Sequence, residues 1–175
     1  GTIGLFSAAC ARAFGAGRVA LFGHRPGSLR ANVAEAIASA YGADEIYYTG
    51  REGDIERALS KGVFDAAIVA APPRVCEDAM RVVGYGGTVL AQGVTFGDGA
   101  VASLDVNDMV FHKKQLLTSI AEPAIHFPLS IEMIRSGRID EKRVITHTLP
   151  LDGAETLGAL YGRDASAVKS VVCMR

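Results

Sequence analysis

Two glycines three residues apart precede an apolar helical pattern at the start of the sequence. Gly1 and Gly4 enclose Thr2 and Ile3 in "GTIG", and "LFSAACARAF" follows at once. This spacing fits the last two glycines of G-x-G-x-x-G, the fingerprint of a dinucleotide-binding turn. Gly1 then lets the backbone approach a pyrophosphate, Gly4 lets the helix pack closely on a strand, and the first-turn N–H groups point at the phosphates. We therefore place a phosphate-binding site at residues 1–4, although a tight contact between helices explains the glycines equally.

The end of the next strand is the second place where residue types bear on chemistry. The strand "RVALFG" ends about 20 residues after the glycine turn, where the fingerprint has an acid that binds the ribose hydroxyls of NAD. Gly23 stands there instead, followed by His24 and Arg25. A glycine removes the charge and bulk that would repel a 2′-phosphate, and Arg25 can grip that phosphate, helped by His24 or Arg30. These residues predict NADP(H) rather than NAD(H), against the alternative of an ordinary glycine turn with a solvated arginine.

Composition excludes several other classes of protein. The chain has 175 residues and a net charge of -1, which predicts no nucleic-acid partner and no membrane surface. Apolar runs such as "FDAAIVAA" are too short to span a bilayer. The three cysteines and four histidines lack metal-binding spacing, so we expect no metal site among them and free thiols in a reducing cytoplasm. They are Cys10, Cys76, Cys173, His24, His112, His126 and His147.

Helical and strand patterns alternate along the chain, which predicts an α/β fold with a doubly wound, Rossmann-like parallel sheet. Helices are predicted at 3–16, 28–44 with Ser28 as N-cap, 54–62, 73–87 and 124–140, with a short one before residue 115. Strands are predicted at 18–23, 45–48, 64–71, 87–93 and 115–120. Beyond about Arg143 the pattern changes to a strand at 144–152, a helix at 153–162 and a strand at 167–175.

The order and spacing of these segments resemble the cofactor-binding half of the medium-chain, zinc-type alcohol and polyol dehydrogenase family. "GTIGLFSAACARAFGAGRVALFG" resembles that family's glycine turn, first helix and second strand. "FDAAIVAAPPRVCEDAMRVVGYGGTVLAQGV" resembles its fourth strand, the following helix and its fifth strand. "KQLLTSI" resembles the sixth strand, "SIEMIRSGRID" the helix before the domain exit, and "VITHTLPLDGAETLGAL" the return into the catalytic domain. The similarity covers nearly the whole chain.

The resemblance implies further cofactor contacts. Ala70, Ala71 and Pro72 would lie beside the adenosine and the nicotinamide ribose. Gly93 and Val94 would lie under the nicotinamide, and Thr118 and Ser119 would lie near its carboxamide. At the last of these places the family more often has a glycine. Lys169 matches a basic position near the pyrophosphate in some members, and an exposed lysine on an edge strand explains it equally.

The resemblance also implies the domain organisation. Residues 1–143 would form the nucleotide-binding domain without its first strand, and residues 144–175 would return to a GroES-like catalytic domain. That domain supplies the zinc ligands and most of the substrate pocket, so we expect no catalytic residue here and no turnover by this segment alone. In the strand order 3-2-1-4-5-6 the first strand is central. Without it backbone groups stay unpaired inside the sheet, so we expect this sequence to be part of a longer chain.

By this resemblance the parent protein transfers hydride between NADP(H) and an alcohol, polyol or sugar held on zinc. It is expected to form a homo-oligomer through the sheet edge at Gln115–Ile120. Two alternatives stay open: a zinc-free quinone or enoyl reductase of the same fold, and a nucleotide-sensing or S-adenosylmethionine-binding module without hydride chemistry. The methyl-donor site usually has an acid where Gly23 stands. A short-chain dehydrogenase is disfavoured because no tyrosine is followed four residues later by lysine.

Overall fold

The computed structural model describes residues 1–120, 123–152, 164 and 166–174, and it divides into two compact units. Unit 1 consists of residues 1–50 and 124–175, and unit 2 consists of residues 51–123. The predicted boundary between residues 143 and 144 concerns a domain outside this chain, and it stays a prediction.

Helices and strands alternate through most of the described chain. The helices are α1 (Thr2–Ala13), α2 (Leu29–Ala40), α3 (Asp54–Leu59), α4 (Cys76–Val82), α5 (Val106–His112) and α6 (Pro123–Arg135). The strands are β1 (Ala20–Gly23), β2 (Glu45–Tyr48), β3 (Phe64–Val69), β4 (Val83–Ala91), β5 (Gln115–Thr118), β6 (Ile145–Pro150) and β7 (Lys169–Cys173). Short 3-10 turns lie at Pro73–Val75, Gly97–Ala100 and Glu141–Arg143.

Unit 1 contains two parallel strand pairs, β1 with β2 and β6 with β7. Its apolar core forms where the inner faces of α1 and α2 meet residues that follow α6. The fully buried members of this core are Leu5, Ala38 and Val144. Ser28 caps α2, because its hydroxyl accepts a hydrogen bond from the Ala31 N–H at 3.1 Å, as the sequence predicts. Pro128 lies in the second turn of α6, near the start where the sequence places it.

Unit 2 is a parallel sheet in the order β3-β4-β5 with α4 packed against β3 and β4. Val69, Met80 and Val89 form the centre of its core. The nearly buried ammonium group of Lys114 donates to the Met80 carbonyl at 2.8 Å and to the Asp108 carboxylate at 2.8 Å. This contact fixes the end of α5 to α4. It also lowers the pKa of Asp108, with Lys114 as the largest cause.

The predicted helix at 73–87 is too long. The structure has a 3-10 turn and α4, which ends at Val82, and Val83 begins β4 opposite Phe64. The amphipathic spacing before Val83 indicates a helix, but the glycines of the segment "VGYGG" disfavour a helix. A Cβ on Gly84 would lie 2.5 Å from the Val63 side chain, so the chain passes close to unit 2's first strand there. The register shift between Phe64 and Ala66 accommodates the extra residues of β4.

The other predicted elements agree with the structure to within a few residues at their ends. The predicted helix at 153–162 lies outside the described residues. Among the described residues, β1 pairs with β2 alone and β3 pairs with β4 alone, so each has one open edge.

Arg12 joins the ends of α1 and α2. Its guanidinium donates to the Gly42 carbonyl at 2.7 Å and 3.1 Å, and to the Ala16 carbonyl at 2.7 Å. It also pairs with the carboxylate of Asp44, which accepts a 2.8 Å bond from the Val19 N–H. The Val19 bond and then the Arg12 bond lower the pKa of Asp44. Arg12 thus satisfies carbonyl groups that helix ends leave without partners.

Replacing Arg12 tests this contact. We expect Arg12→Ala to lower the free energy of unfolding of the protein by about 1–3 kcal/mol, because backbone carbonyls lose a charged donor. Urea denaturation followed by circular dichroism measures the change. The control is Arg138→Ala, which removes an exposed arginine of the same unit and should leave stability within about 0.5 kcal/mol of the unaltered protein. Equal stability of the two variants would contradict the role of Arg12.

Candidate nucleotide-binding site

The predicted residues Gly23, His24 and Arg25 lie at the carboxyl end of β1, which pairs with the carboxyl end of β2. Backbone pairing continues beyond both strands: the Thr49 N–H donates to the Gly23 carbonyl at 2.9 Å, and the Gly50 N–H donates to the His24 carbonyl at 2.9 Å. The loop that begins with His24 and Arg25 therefore leaves the strand pair at a fixed position. Both side chains are exposed. Parallel sheets of this kind bind ligands at the carboxyl ends of their strands.

Gly50 is a residue of this site that the sequence did not reveal. A Cβ there would lie 2.5 Å from the His24 carbonyl oxygen and 3.4 Å from Cγ of Arg25. Any side chain at position 50 would push the loop that carries His24 and Arg25 away from β2. The glycine two residues after "EIYY" was a usable signal, because in a parallel pair it lies just beyond the strand end, where its N–H donates to the His24 carbonyl.

Arg30 lies in the first turn of α2. Its Nη2 donates to the Asp164 carbonyl at 3.4 Å. Hydrogen bonds from Ser166, and in a smaller part from His147, lower the pKa of the Asp164 carboxyl group. The structure thus places Arg30 next to the segment at Asp164, which the sequence did not assign to the site.

The start of α1 is the predicted pyrophosphate site. Gly1 is the N-cap of α1 and provides no side-chain hydrogen bond, so the first-turn N–H groups, including those of Thr2 and Ile3, have no side-chain cap in the described chain. Within the part of the chain that the structure describes, nothing lies within 4 Å of a Cβ built on Gly1 or Gly4. The predicted packing of Gly4 against a strand is therefore not made by these residues. The N–H groups of the first turn and the positive end of the helix dipole attract an anion.

Thr2 connects α1 to the start of β7. Its hydroxyl donates to the Val168 carbonyl at 3.0 Å. Lys169 is the next residue, and its side chain is exposed. The structure therefore brings the backbone at Lys169 beside the start of α1, although the two are separated by most of the chain. Sequence position alone gives no sign of that proximity.

In unit 2 the remaining predicted residues lie at the carboxyl ends of β3, β4 and β5. The Gly93 N–H donates to the Val69 carbonyl at 3.0 Å, and the Ser119 N–H donates to the Ala91 carbonyl at 3.1 Å. A Cβ on Gly93 would lie 1.9 Å from the Ala71 carbonyl oxygen, so the chains after β3 and β4 touch. One edge of the sheet thus holds Ala70, Ala71, Pro72, Gly93, Val94, Thr118 and Ser119.

Within residues 1–120, 123–152, 164 and 166–174, no three His, Cys, Asp or Glu side chains come together in a group able to hold a metal ion. Cys10, Cys76 and Cys173 are free thiols. Over the same residues, every helix is too short or too polar to cross a bilayer.

Parallel strands, helical crossovers and a glycine turn at the start of α1 define a Rossmann-like nucleotide-binding domain. The model of the zinc-binding dehydrogenase family matches residues 2–135, and the chain belongs to that family. The predicted family and fold class are therefore confirmed. Comparison with curated protein sequences found no match.

Solved structures share the fold over the whole chain. 2R,3R-butanediol dehydrogenase from Bacillus subtilis has a TM-score of 0.84 at 19% identity, covering 100% of this chain and 49% of its own. An alcohol dehydrogenase from Escherichia coli CFT073, complexed with NADH, has a TM-score of 0.84 at 16% identity, covering 99% and 50%. A structure from Sinorhizobium meliloti 1021, assigned as a zinc-binding dehydrogenase and bound to NADP, has a TM-score of 0.80 at 25% identity, covering 98% and 49%. The chain thus spans about half the length of these three proteins.

The close approach at Gly93 gives a test of the strand ends in unit 2. Gly93→Ala places a methyl group against the Ala71 carbonyl, and we expect it to lower the free energy of unfolding by about 1–3 kcal/mol. Gly17→Ala is the control, because nothing in the described chain lies within 4 Å of a Cβ at that position. Thermal unfolding of both variants measures the difference. A Gly93→Ala variant as stable as the control would contradict the observed approach.

Proposed function

We propose that the whole protein is a zinc-dependent oxidoreductase that transfers hydride between NADP(H) and an alcohol, polyol or sugar. The observation that carries this proposal is the family match over residues 2–135. Among the similar structures, one is a butanediol dehydrogenase and two hold a nicotinamide dinucleotide. Since this chain spans about half of each, we assign cofactor binding to it. Zinc ligation and substrate binding then belong to residues outside it.

The residues at the start of α1 fit a pyrophosphate. The N–H groups of the first turn and the positive end of the helix dipole attract an anion, and Gly1 and Gly4 leave room for it. Arg30 adds a positive charge on this side of unit 1. Lys169 follows the residue to which Thr2 donates, so its ammonium group is in a position to add a second charge. We assign phosphate binding to these groups.

The residues at the end of β1 fit a ribose that carries a 2′-phosphate. Gly23 offers no carboxylate to the ribose hydroxyls, and so no charge that repels a phosphate. Arg25 presents five N–H donors in a planar fork that matches phosphate oxygens, and His24 lies beside it. The backbone bonds to Thr49 and Gly50 hold both residues at the strand end before any ligand binds. The missing carboxylate at position 23 and the fixed position of Arg25 together support NADP(H) over NAD(H).

In unit 2, we assign the backbone after β3 to the ribose contacts, with Ala70, Ala71 and Pro72. The ends of β4 and β5 then position the nicotinamide ring, through Gly93 and Val94 and through Thr118 and Ser119. When bound, the nicotinamide would supply hydride chemistry at its C4, and zinc held by residues outside this chain would supply a Lewis acid for the substrate oxygen. The residues of this chain bind and orient the cofactor, and none of them is proposed as catalytic.

The exposed strand β5 supports a homo-oligomer. It is the edge of its sheet in unit 2, and all four of its residues are exposed. Leu117 is 50% exposed and Ile120, just beyond it, is 81% exposed. An apolar edge strand of this kind is a surface that a second copy of the chain can pair with. A location in the cytoplasm stays a prediction from the cysteine pattern.

The cofactor preference is tested at Arg25. We expect Arg25→Ala to weaken NADPH binding to the whole protein about tenfold, the equivalent of one charge-assisted hydrogen bond, and to leave NADH binding unchanged. Fluorescence titration with each nucleotide gives the two dissociation constants. Arg138→Ala is the control for a lost surface charge. An unchanged ratio of the two constants would show that Arg25 does not bind the 2′-phosphate.

Metal content separates the proposed reaction from its alternatives. We expect the purified whole protein to contain zinc by atomic emission, and chelation to abolish alcohol oxidation while NADPH binding persists. A zinc-free protein that reduces quinones or enoyl substrates identifies the zinc-free reductase. Calorimetry with S-adenosylmethionine tests the third possibility, and binding of that compound without NADPH binding would overturn the assignment of an oxidoreductase.

A further inference from the structure

The ring of Tyr48 occupies the space in which a side chain at position 23 would begin. A Cβ built on Gly23 would lie 2.7 Å from Cε1 and 2.9 Å from Cδ1 of Tyr48. Side-chain carbons do not approach one another that closely, so one of the two groups would have to move. The two residues face each other because β1 and β2 pair in parallel with Gly23 opposite Tyr48.

The Tyr48 ring is held at both ends. Its backbone lies at the end of β2, where the next residue donates to the Gly23 carbonyl at 2.9 Å. Its hydroxyl donates to the carboxylate of Glu35 on α2. Only 7% of the residue is exposed, so the ring has no open path into solvent. A side chain at position 23 therefore meets a ring that is fixed between the strand pair and α2.

We propose that Tyr48 is a specificity-determining residue, which excludes from position 23 the acidic side chain that would bind the ribose hydroxyls of NAD(H). This inference rests on the proposed NADP(H) function, because it assumes that the end of β1 faces the cofactor ribose. It goes beyond that function in assigning the selectivity to a pair of residues. Gly23 is then a consequence of Tyr48 packing, and changing Gly23 alone cannot install NAD(H) recognition.

The pair predicts a coupling between positions 23 and 48 that is independent of any cofactor. Gly23→Ala adds a single methyl group and no charge. It should lower the unfolding temperature of the whole protein in the wild-type background and in a Tyr48→Phe background, because phenylalanine keeps the ring. In a Tyr48→Ala background the space is vacated, and the same change should have little effect. Equal effects of Gly23→Ala in all three backgrounds would overturn the inference.

The cofactor readout uses Gly23→Asp in the same three backgrounds. With Tyr48→Ala, the aspartate is accommodated, and we expect the ratio of NADPH to NADH affinity to shift toward NADH by about 10–100-fold. In the wild-type and Tyr48→Phe backgrounds, where an aromatic ring stays in place, we expect a loss of unfolding temperature and no gain in NADH affinity. Gain of NADH affinity by Gly23→Asp alone, at an unchanged unfolding temperature, would overturn the role of Tyr48.

The two proposals fail in different ways. If the wild-type protein does not prefer NADPH, the proposed cofactor is wrong and so is the selectivity role, while the coupling in unfolding temperature is still seen. If the wild type prefers NADPH but the coupling is absent, the selectivity does not depend on Tyr48 and the proposed function is untouched. The Gly23→Ala series keeps the test decisive even where Gly23→Asp prevents folding.

Discussion

Backbone hydrogen bonds that continue past the ends of β1 and β2 fix the residues on which the cofactor proposal depends. Two N–H groups, from Thr49 and Gly50, donate to the carbonyls of Gly23 and His24. At Gly50 the two segments approach so closely that a Cβ would lie 2.5 Å from the His24 carbonyl oxygen. Arg25 therefore leaves the sheet from a defined point, and its guanidinium is free to reach solvent or a ligand. Because this backbone is held in place, the proposed contact of Arg25 with a 2′-phosphate requires no reordering of the strand end.

The same construction recurs in unit 2. The Gln92 and Gly93 N–H groups both donate to the Val69 carbonyl, and the Ser119 N–H extends the pairing of β4 with β5. At Gly93, as at Gly50, a glycine lies where a neighbouring carbonyl approaches too closely for a Cβ. Glycine lets the strand ends converge, and converging strand ends place backbone groups at one edge of a parallel sheet. Each unit thus has one edge at which backbone groups of neighbouring strand ends come together.

Much of the fold could be predicted from the sequence because its signals are local. Short apolar runs between glycine turns indicate β1, β2, β3 and β5, and Ser28 before an apolar helix pattern indicates the start of α2. The error at 83–87 has the same origin: helical spacing persists up to Val83, while the strand pairing that begins there is with Phe64, nineteen residues earlier. The sequence-based prediction of the site rests on a known fingerprint, which consists of the glycine spacing and the residues at the end of the next strand. Gly50, Tyr48 and the bond from Thr2 to Val168 depend on strand register or on distant segments, which periodicity does not encode.

The central claim is that this member of the zinc-binding dehydrogenase family uses NADP(H), bound through the end of β1. The most direct measurement is the pair of dissociation constants for NADPH and NADH, determined by fluorescence titration of the whole, unaltered protein. The account predicts tighter binding of NADPH, by about tenfold or more, because a charged donor meets the 2′-phosphate and no carboxylate serves the ribose hydroxyls. Equal affinities, or tighter binding of NADH, would contradict it.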